Sequence, residues 1–215
     1  MGSMSTIPRA ERANAYEGSR PDVRALVPPG VRRVLDLGCA SGALGAALKA
    51  DGVHEVVGIE RDPAYAADAR DRLDHVVNAN LESFAPRAAE LGRFDCLIAA
   101  DVLEHLVDPW SALRAYASVL EPGCAAVISL PNVVTWQTLW FLARGTWPRH
   151  TQGIFDATHL RWFTLSDAEE LCAQAALDVE LVQRIPWYGR ARPLYHVPGL
   201  RTLMTFQYIV RARRC

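Results

Sequence analysis

The sequence predicts an α/β fold: a seven-stranded, mostly parallel sheet with helices on both faces and an antiparallel last strand. Three observations predict it. Short apolar runs alternate with helix-forming segments over the first 130 or so residues, the pattern of a parallel sheet covered on both faces. Val34–Leu48 joins an apolar run to a run of strong helix formers through a turn bracketed by Gly38 and Gly42. Asp36, Glu60, Asn80 and Asp101 all fall at or just beyond the ends of expected strands, where ligands of such sheets bind.

The elements follow in order. Pro8 to Val27 is polar, then amphipathic, and reads as one or two short helices ended by Pro28-Pro29-Gly30. A first strand is expected at 33–37 and its helix at 42–50. Val56–Ile59 forms the second strand, ending at Glu60, and Pro63 suits the first turn of a helix to Leu73. His75–Val77 and Phe94–Ala99 are the third and fourth strands, with Asp101 just past the latter. Pro109–Leu120 is helical, Glu121-Pro-Gly123 turns, and Cys124–Leu130 is the fifth strand. Thr135–Arg144 reads as a short amphipathic helix. Ser166, with Glu169 three residues on, reads as the N-cap of a helix to Ala176. Val179–Ile185 and Thr202–Ala212 are the last two strands.

At 215 residues a single domain, 1–215, is expected, with Met1–Ser3 ahead of Met4 read as a cloning remnant. The net charge of -1 gives no sign of a nucleic-acid partner. Lys49 is the sole lysine. Five cysteines at irregular spacing make neither a metal pattern nor a disulfide framework, and no metal site is expected. With no signal peptide and no membrane-spanning run, the expected location is the cytoplasm.

The turn at 38–42 lacks the dinucleotide fingerprint, because position 40 is Ala, and lacks the Gly-Lys of a phosphate loop. Asp36 would repel a pyrophosphate and suits a cation. A ligand with an ammonium, a sulfonium and a ribose but no phosphate fits: S-adenosylmethionine. On this segment alone, an ordinary strand–helix turn fits equally well.

The ordered set Leu35–Gly42, Val57–Glu60, Asn80-Leu81, Phe94–Ile98, Asp101–His105 and Leu120–Gly123 resembles the class I S-adenosylmethionine-dependent methyltransferases, with their Rossmann-like sheet. The resemblance covers about residues 16–185. Leu130–Asn132 and Gly153–Thr164 are similar to the ubiquinone-methyltransferase-like and MetW-like group. The resemblance implies that Gly38, Cys39, Ala40 and Gly42 lie against the methionine part of the cofactor and that Asp36 binds its ammonium. Glu60, followed by Arg61, would hold the ribose hydroxyls. Asn80 would accept from the adenine amine and Leu81 pack on its ring. Asp101 and Val102 would sit beside the sulfonium methyl, with Tyr16 and Arg20 closing over the cofactor. Asn80 and Ala40 depart from the commonest pattern, which has Asp and Gly.

In methyl transfer the sulfonium activates the methyl, so the protein aligns donor and acceptor and excludes water. A base is needed only for an acceptor proton of high pKa. His105 and His159 are the candidate catalytic residues, each with a plain hydrogen-bonding role as the alternative. Asp156 is placed to orient His159 or cap a turn. Segment 131–164 holds Trp136, Trp140, Trp147 and Trp162, four of the six tryptophans, and is expected to be a lid over the acceptor. A homodimer interface and a peripheral membrane contact are the competing readings. The expected activity is methyl transfer to a small molecule, preferably to oxygen of a sugar or sugar-lipid. A MetW-like partner subunit that binds the cofactor but serves another enzyme is the alternative.

Overall fold

The computed structural model describes residues 18–187, 192–197 and 199–215. Seven strands form one sheet: β1 (Arg33–Leu37), β2 (Glu55–Glu60), β3 (His75–Asn78), β4 (Phe94–Ala100), β5 (Leu120–Pro131), β6 (Leu177–Pro186) and β7 (Thr205–Arg214). Their order is β3-β2-β1-β4-β5-β7-β6. The first five pair in parallel, and β7 runs antiparallel between β5 and β6. The chain order reverses between β1 and β4, which opens a crevice at the carboxyl ends of those strands.

Helices α1 (Pro21–Arg24), α2 (Ala43–Ala50), α3 (Pro63–Arg70), α4 (Leu81–Phe84), α5 (Pro109–Ala117), α6 (Trp136–Ala143) and α7 (Leu165–Gln174) connect the strands. The central strands are mainly apolar because both faces are covered. On β1, Val34 packs into one core with Cys96, Ile98 and Val127, while Leu35 and Leu37 pack into the other with Leu97, Ala99 and Ile128. This is the two-residue alternation of a strand. No helix among the described residues is long and apolar enough to cross a membrane.

Three expectations need correction. Glu121-Pro-Gly123 lies inside β5, with a register shift opposite Phe94 and Cys96: Leu120 already pairs with β4, and Gly123, at φ 78°, absorbs the irregularity. The helix after the lid segment is capped by Thr164, not Ser166. Thr164 Oγ1 accepts from Asp167 N, and the Asp167 carboxylate accepts from Thr164 N, so an equivalent capping box starts the helix two residues earlier. The last strand starts at Thr205, because residues 199–204 form a turn. The helix α4 and the 3-10 segments Ala85–Leu91 and Leu103–His105 carry too few periodic residues to be read from sequence.

Candidate active site

The turn after β1 is built by backbone geometry. Gly38 and Gly42 have φ of 71° and 78°, a left-handed region open to glycine. A Cβ on Gly38 would stand 2.6 Å from Val102 Cγ2, so position 38 has room for hydrogen alone. The amides of Gly38 and Cys39 both donate to Ile59 O, at 2.8 and 3.1 Å, laying the turn across the end of β2. Ala40 also takes a positive φ, 46°, a conformation that costs an L-residue about 1 kcal/mol. Its amide donates to Glu60 Oε2 at 3.0 Å, and this bond holds it there.

Two buried carboxylates face the turn. Asp36 is 2% exposed, and its Oδ2 has no hydrogen-bond partner among the described residues. Burial, and then the charge of Glu60, push its pKa up to about 7. Glu60 accepts from Ala40 N and, at 2.7 Å, from Asp62 N, and burial raises its pKa too. A carboxylate has about four lone-pair sites, more than these amides occupy. An orphaned buried carboxylate oxygen is the environment that an ammonium stabilises, and a carboxylate with acceptor capacity to spare suits a ribose hydroxyl. The residues present therefore fit S-adenosylmethionine.

Asn78 Nδ2 donates to the carbonyls of Glu60 and Arg61, at 2.8 and 3.0 Å, and fixes the end of β2. Arg61 itself is exposed. Asn80 caps α4: its Oδ1 accepts from Glu82 N at 2.8 Å and Ser83 N at 3.3 Å. The acceptor capacity expected to serve an adenine is thus taken up by the helix start, and the carboxamide N–H groups are what Asn80 can offer. Leu81 is buried, with its carbonyl held by Tyr116 at 2.8 Å.

At the end of β4, Asp101 adopts φ 53° and gathers three partners. Arg20 Nη1 and Gln207 Nε2 donate to its two carboxylate oxygens, and Ser129 Oγ donates to Oδ1 at 2.9 Å. Arg20 also binds Asp22 through Nε at 3.0 Å. Tyr16 lies outside the described residues.

One cleft of about 570 Å³ brings Arg20, Asp36, Gly38, Cys39, Ala40 and Asp101 together with Glu104, His105, Asp156 and His159. Gly42, Glu60, Arg61, Asn80, Leu81 and Val102 are not on its wall. Glu60 reaches it through Ala40, and Val102 through Gly38. Glu104 is 1% exposed; burial, and then Asp101, hold its carboxyl well above the usual range. Its backbone carbonyl accepts from the amides of Leu160 and Arg161, at 2.8 and 3.0 Å, which ties the 150–161 loop to the cleft. Burial, then the neighbouring His105, lower the His159 pKa to about 4.

Part of the segment expected to be a lid reaches the cleft, but its tryptophans do not. Thr151, Gln152, Gly153, Asp156, Thr158 and His159 line the cleft, and no tryptophan does. Trp147 packs edge-on against Phe155 and Trp162 instead. A second hollow, walled by Phe155, Trp187 and Phe206, shares Thr151, Gln152 and Gly153 with the cleft. Beside it, the buried indole N–H of Trp187 lacks a partner among the described residues.

Sequence reasoning missed Glu104, Asn78, Ser129 and Gln207. Glu104 stands next to His105 and was visible as a candidate. Gln207 reaches Asp101 because the antiparallel β7 inserts beside β5, a relation that no local spacing reveals.

This sheet order, the glycine turn after β1 and the acid ending β2 define a class I S-adenosylmethionine-dependent methyltransferase. The chain belongs to the methyltransferase-domain family, whose profile matches residues 10–182. A ubiquinone biosynthesis O-methyltransferase of Aromatoleum aromaticum is 28% identical over 196 residues, covering 85% of this chain and 78% of that protein. Its counterpart in Xanthomonas axonopodis pv. citri is 35% identical over 114 residues, covering 51% of this chain and 47% of that one. A SAM-dependent methyltransferase structure from Archaeoglobus fulgidus superposes with a TM-score of 0.69 at 18% identity, over 97% of this chain and all of that one; it shares the fold.

Proposed function

We propose that this enzyme methylates a hydroxyl oxygen on a small, ring-bearing acceptor. The observation that carries this reading is a cluster on the wall of the cleft. There a carboxylate and two imidazoles, Glu104, His105 and His159, converge beside a hollow walled by aromatic rings. Such groups receive or orient a hydroxyl proton, and aromatic walls suit a flat or sugar ring. The relatives named for ubiquinone biosynthesis O-methylation favour a hydroxylated aromatic ring over the sugar or sugar-lipid expected from sequence.

The cofactor, when bound, supplies a methyl already activated by its sulfonium. Asp36 holds the ammonium, Glu60 the ribose hydroxyls, and the 38–42 backbone the methionine chain. Asn80 and Leu81 border the adenine. Arg20 and Asp101 close the cleft and exclude water. Trp187 donates its indole N–H to a polar atom of the acceptor ring. The test is to incubate the enzyme with S-adenosylmethionine and matched catechol and sugar acceptors, measuring S-adenosylhomocysteine and the methylated atom. Product O-methylated on a catechol supports the reading. Cofactor binding without turnover on any acceptor favours the partner-subunit alternative.

A further inference from the structure

We propose that the hollow walled by Phe155, Trp187 and Phe206 binds an anionic group of the acceptor, a carboxylate or a phosphate ester. The substrate class is then a hydroxylated aromatic acid, and that part rests on the hydroxyl-acceptor reading.

The hollow is built from chain that carries no negative side chain. Residues 122–155 and 181–215 contain no Asp or Glu, in a chain with 24 of them. Every residue on the wall of the hollow comes from these two stretches. The adjoining cleft is the reverse, with Asp36, Asp101, Glu104 and Asp156 on its wall. An acidic cleft suits the ammonium and sulfonium of the methyl donor and repels an anion. The hollow gives that anion a place where no carboxylate faces it.

Two groups on its wall can only donate. Arg149 carries a permanently charged guanidinium with no acceptor atom; it is exposed and makes no ion pair among the described residues. The indole N–H of Trp187 is buried and lacks a partner among the described residues. An oxyanion, with several lone pairs on one small group, can accept from both, and the bond from Arg149 is charge-assisted. Gln137 and Gln152, also on the wall, can turn amide N–H groups to the same ligand.

The donors stand on anchored backbone. Trp187 N donates to Met204 O at 2.9 Å, and its ring meets Phe206 at 5.1 Å, tilted by 67°. Across the hollow, His150 N donates to Phe155 O at 2.8 Å and His150 O accepts from Ala157 N at 2.9 Å, which holds the chain at Arg149. Phe155 is fixed in turn between Phe141 and Trp147, at 5.2 Å from each ring. Thr151, Gln152, Gly153 and Phe206 line both spaces. One acceptor can therefore reach from the cleft, with its hydroxyl, into the hollow, with its anion.

The experiment reads binding and turnover separately. Protocatechuate, its uncharged methyl ester and a dihydroxybenzyl phosphate are titrated by calorimetry into the full chain saturated with S-adenosylhomocysteine. The same three are then compared as acceptors with S-adenosylmethionine. One of the two anions should bind about tenfold more tightly than the ester, the order of one charged hydrogen bond, and the better of them identifies the group. The preference should vanish in Arg149→Met and shrink at high salt, because the guanidinium is exposed. Equal affinity for all three, or a preference that survives intact in Arg149→Met, overturns the subsite. Hydroxyl methylation with no preference for an anion overturns the subsite and leaves the hydroxyl-acceptor reading standing. An Arg149-dependent preference in binding with no hydroxyl methylated upholds the subsite and overturns that reading instead.

Discussion

The amide of Ala40 donates to Glu60 Oε2 at 3.0 Å, so the turn after β1 and the acid ending β2 act as one unit. Whatever Glu60 binds is thereby registered against Gly38 and Asp36.

The turn makes opposite demands at positions 38 and 40. Gly38→Ala would drive a methyl into Val102 Cγ2 at 2.6 Å at a positive φ, and is expected to abolish cofactor binding and lower stability by roughly 1–3 kcal/mol. Ala40→Gly relieves a left-handed residue at the cost of added unfolded-chain entropy, so stability should change by less than about 1 kcal/mol and cofactor binding should persist. Thermal melts and calorimetry with S-adenosylhomocysteine check both.

If Asp36 holds the cofactor ammonium as proposed, cofactor affinity should depend on pH. The Asp36 pKa in the free protein is about 7, and an ammonium beside the carboxylate favours the charged form. Affinity for S-adenosylhomocysteine should therefore rise between about pH 6 and about pH 8, roughly one unit either side of that pKa, with a proton released on binding at the lower pH. Linkage gives the free protein the opposite trend. A carboxyl whose folded pKa is raised binds more protons folded than unfolded between the two pKa values. Its contribution to stability is thus lost as pH rises from the ordinary carboxylate range to about 7. Asp36→Asn should flatten both profiles, and titrations across pH would reveal it.

Arg20 ties Asp101, Asp22 and Ser129 together. Arg20→Met is expected to weaken S-adenosylhomocysteine binding by about tenfold, the order of one charge-assisted hydrogen bond. Unchanged affinity in calorimetry would confine Arg20 to holding α1 on the sheet.

On the proposed acceptor reading, a Trp187 variant should change acceptor turnover and leave cofactor binding alone. Trp187→Phe keeps most of the ring wall and removes the N–H, so kcat/KM for a catechol should fall several-fold, by about 1 kcal/mol, with cofactor affinity unchanged. Steady-state kinetics beside calorimetry make the comparison.

The parallel half of the fold was legible because each β–α unit is local: apolar run, glycine turn, helix formers. The placement of Asp36, Glu60 and Asp101 at strand ends was legible for the same reason, since strand ends can be read locally. What escaped depends on distant chain. Gln207 reaches Asp101 only through β7's insertion, and Glu104 meets His159 only because the 150–161 loop hydrogen-bonds back onto its carbonyl. The tryptophans misled because aromatic residues gather equally well to pack on one another, as Trp147, Phe155 and Trp162 do.

The most direct test is the affinity of Glu60→Gln for S-adenosylhomocysteine, measured by calorimetry beside wild type. The amide keeps the shape and one acceptor oxygen but loses the charge and one of two paired acceptors. Binding should weaken about 10- to 100-fold, the order of a charged hydrogen bond, while the melting temperature stays within a few degrees. Wild-type affinity in a folded Glu60→Gln protein would contradict the account.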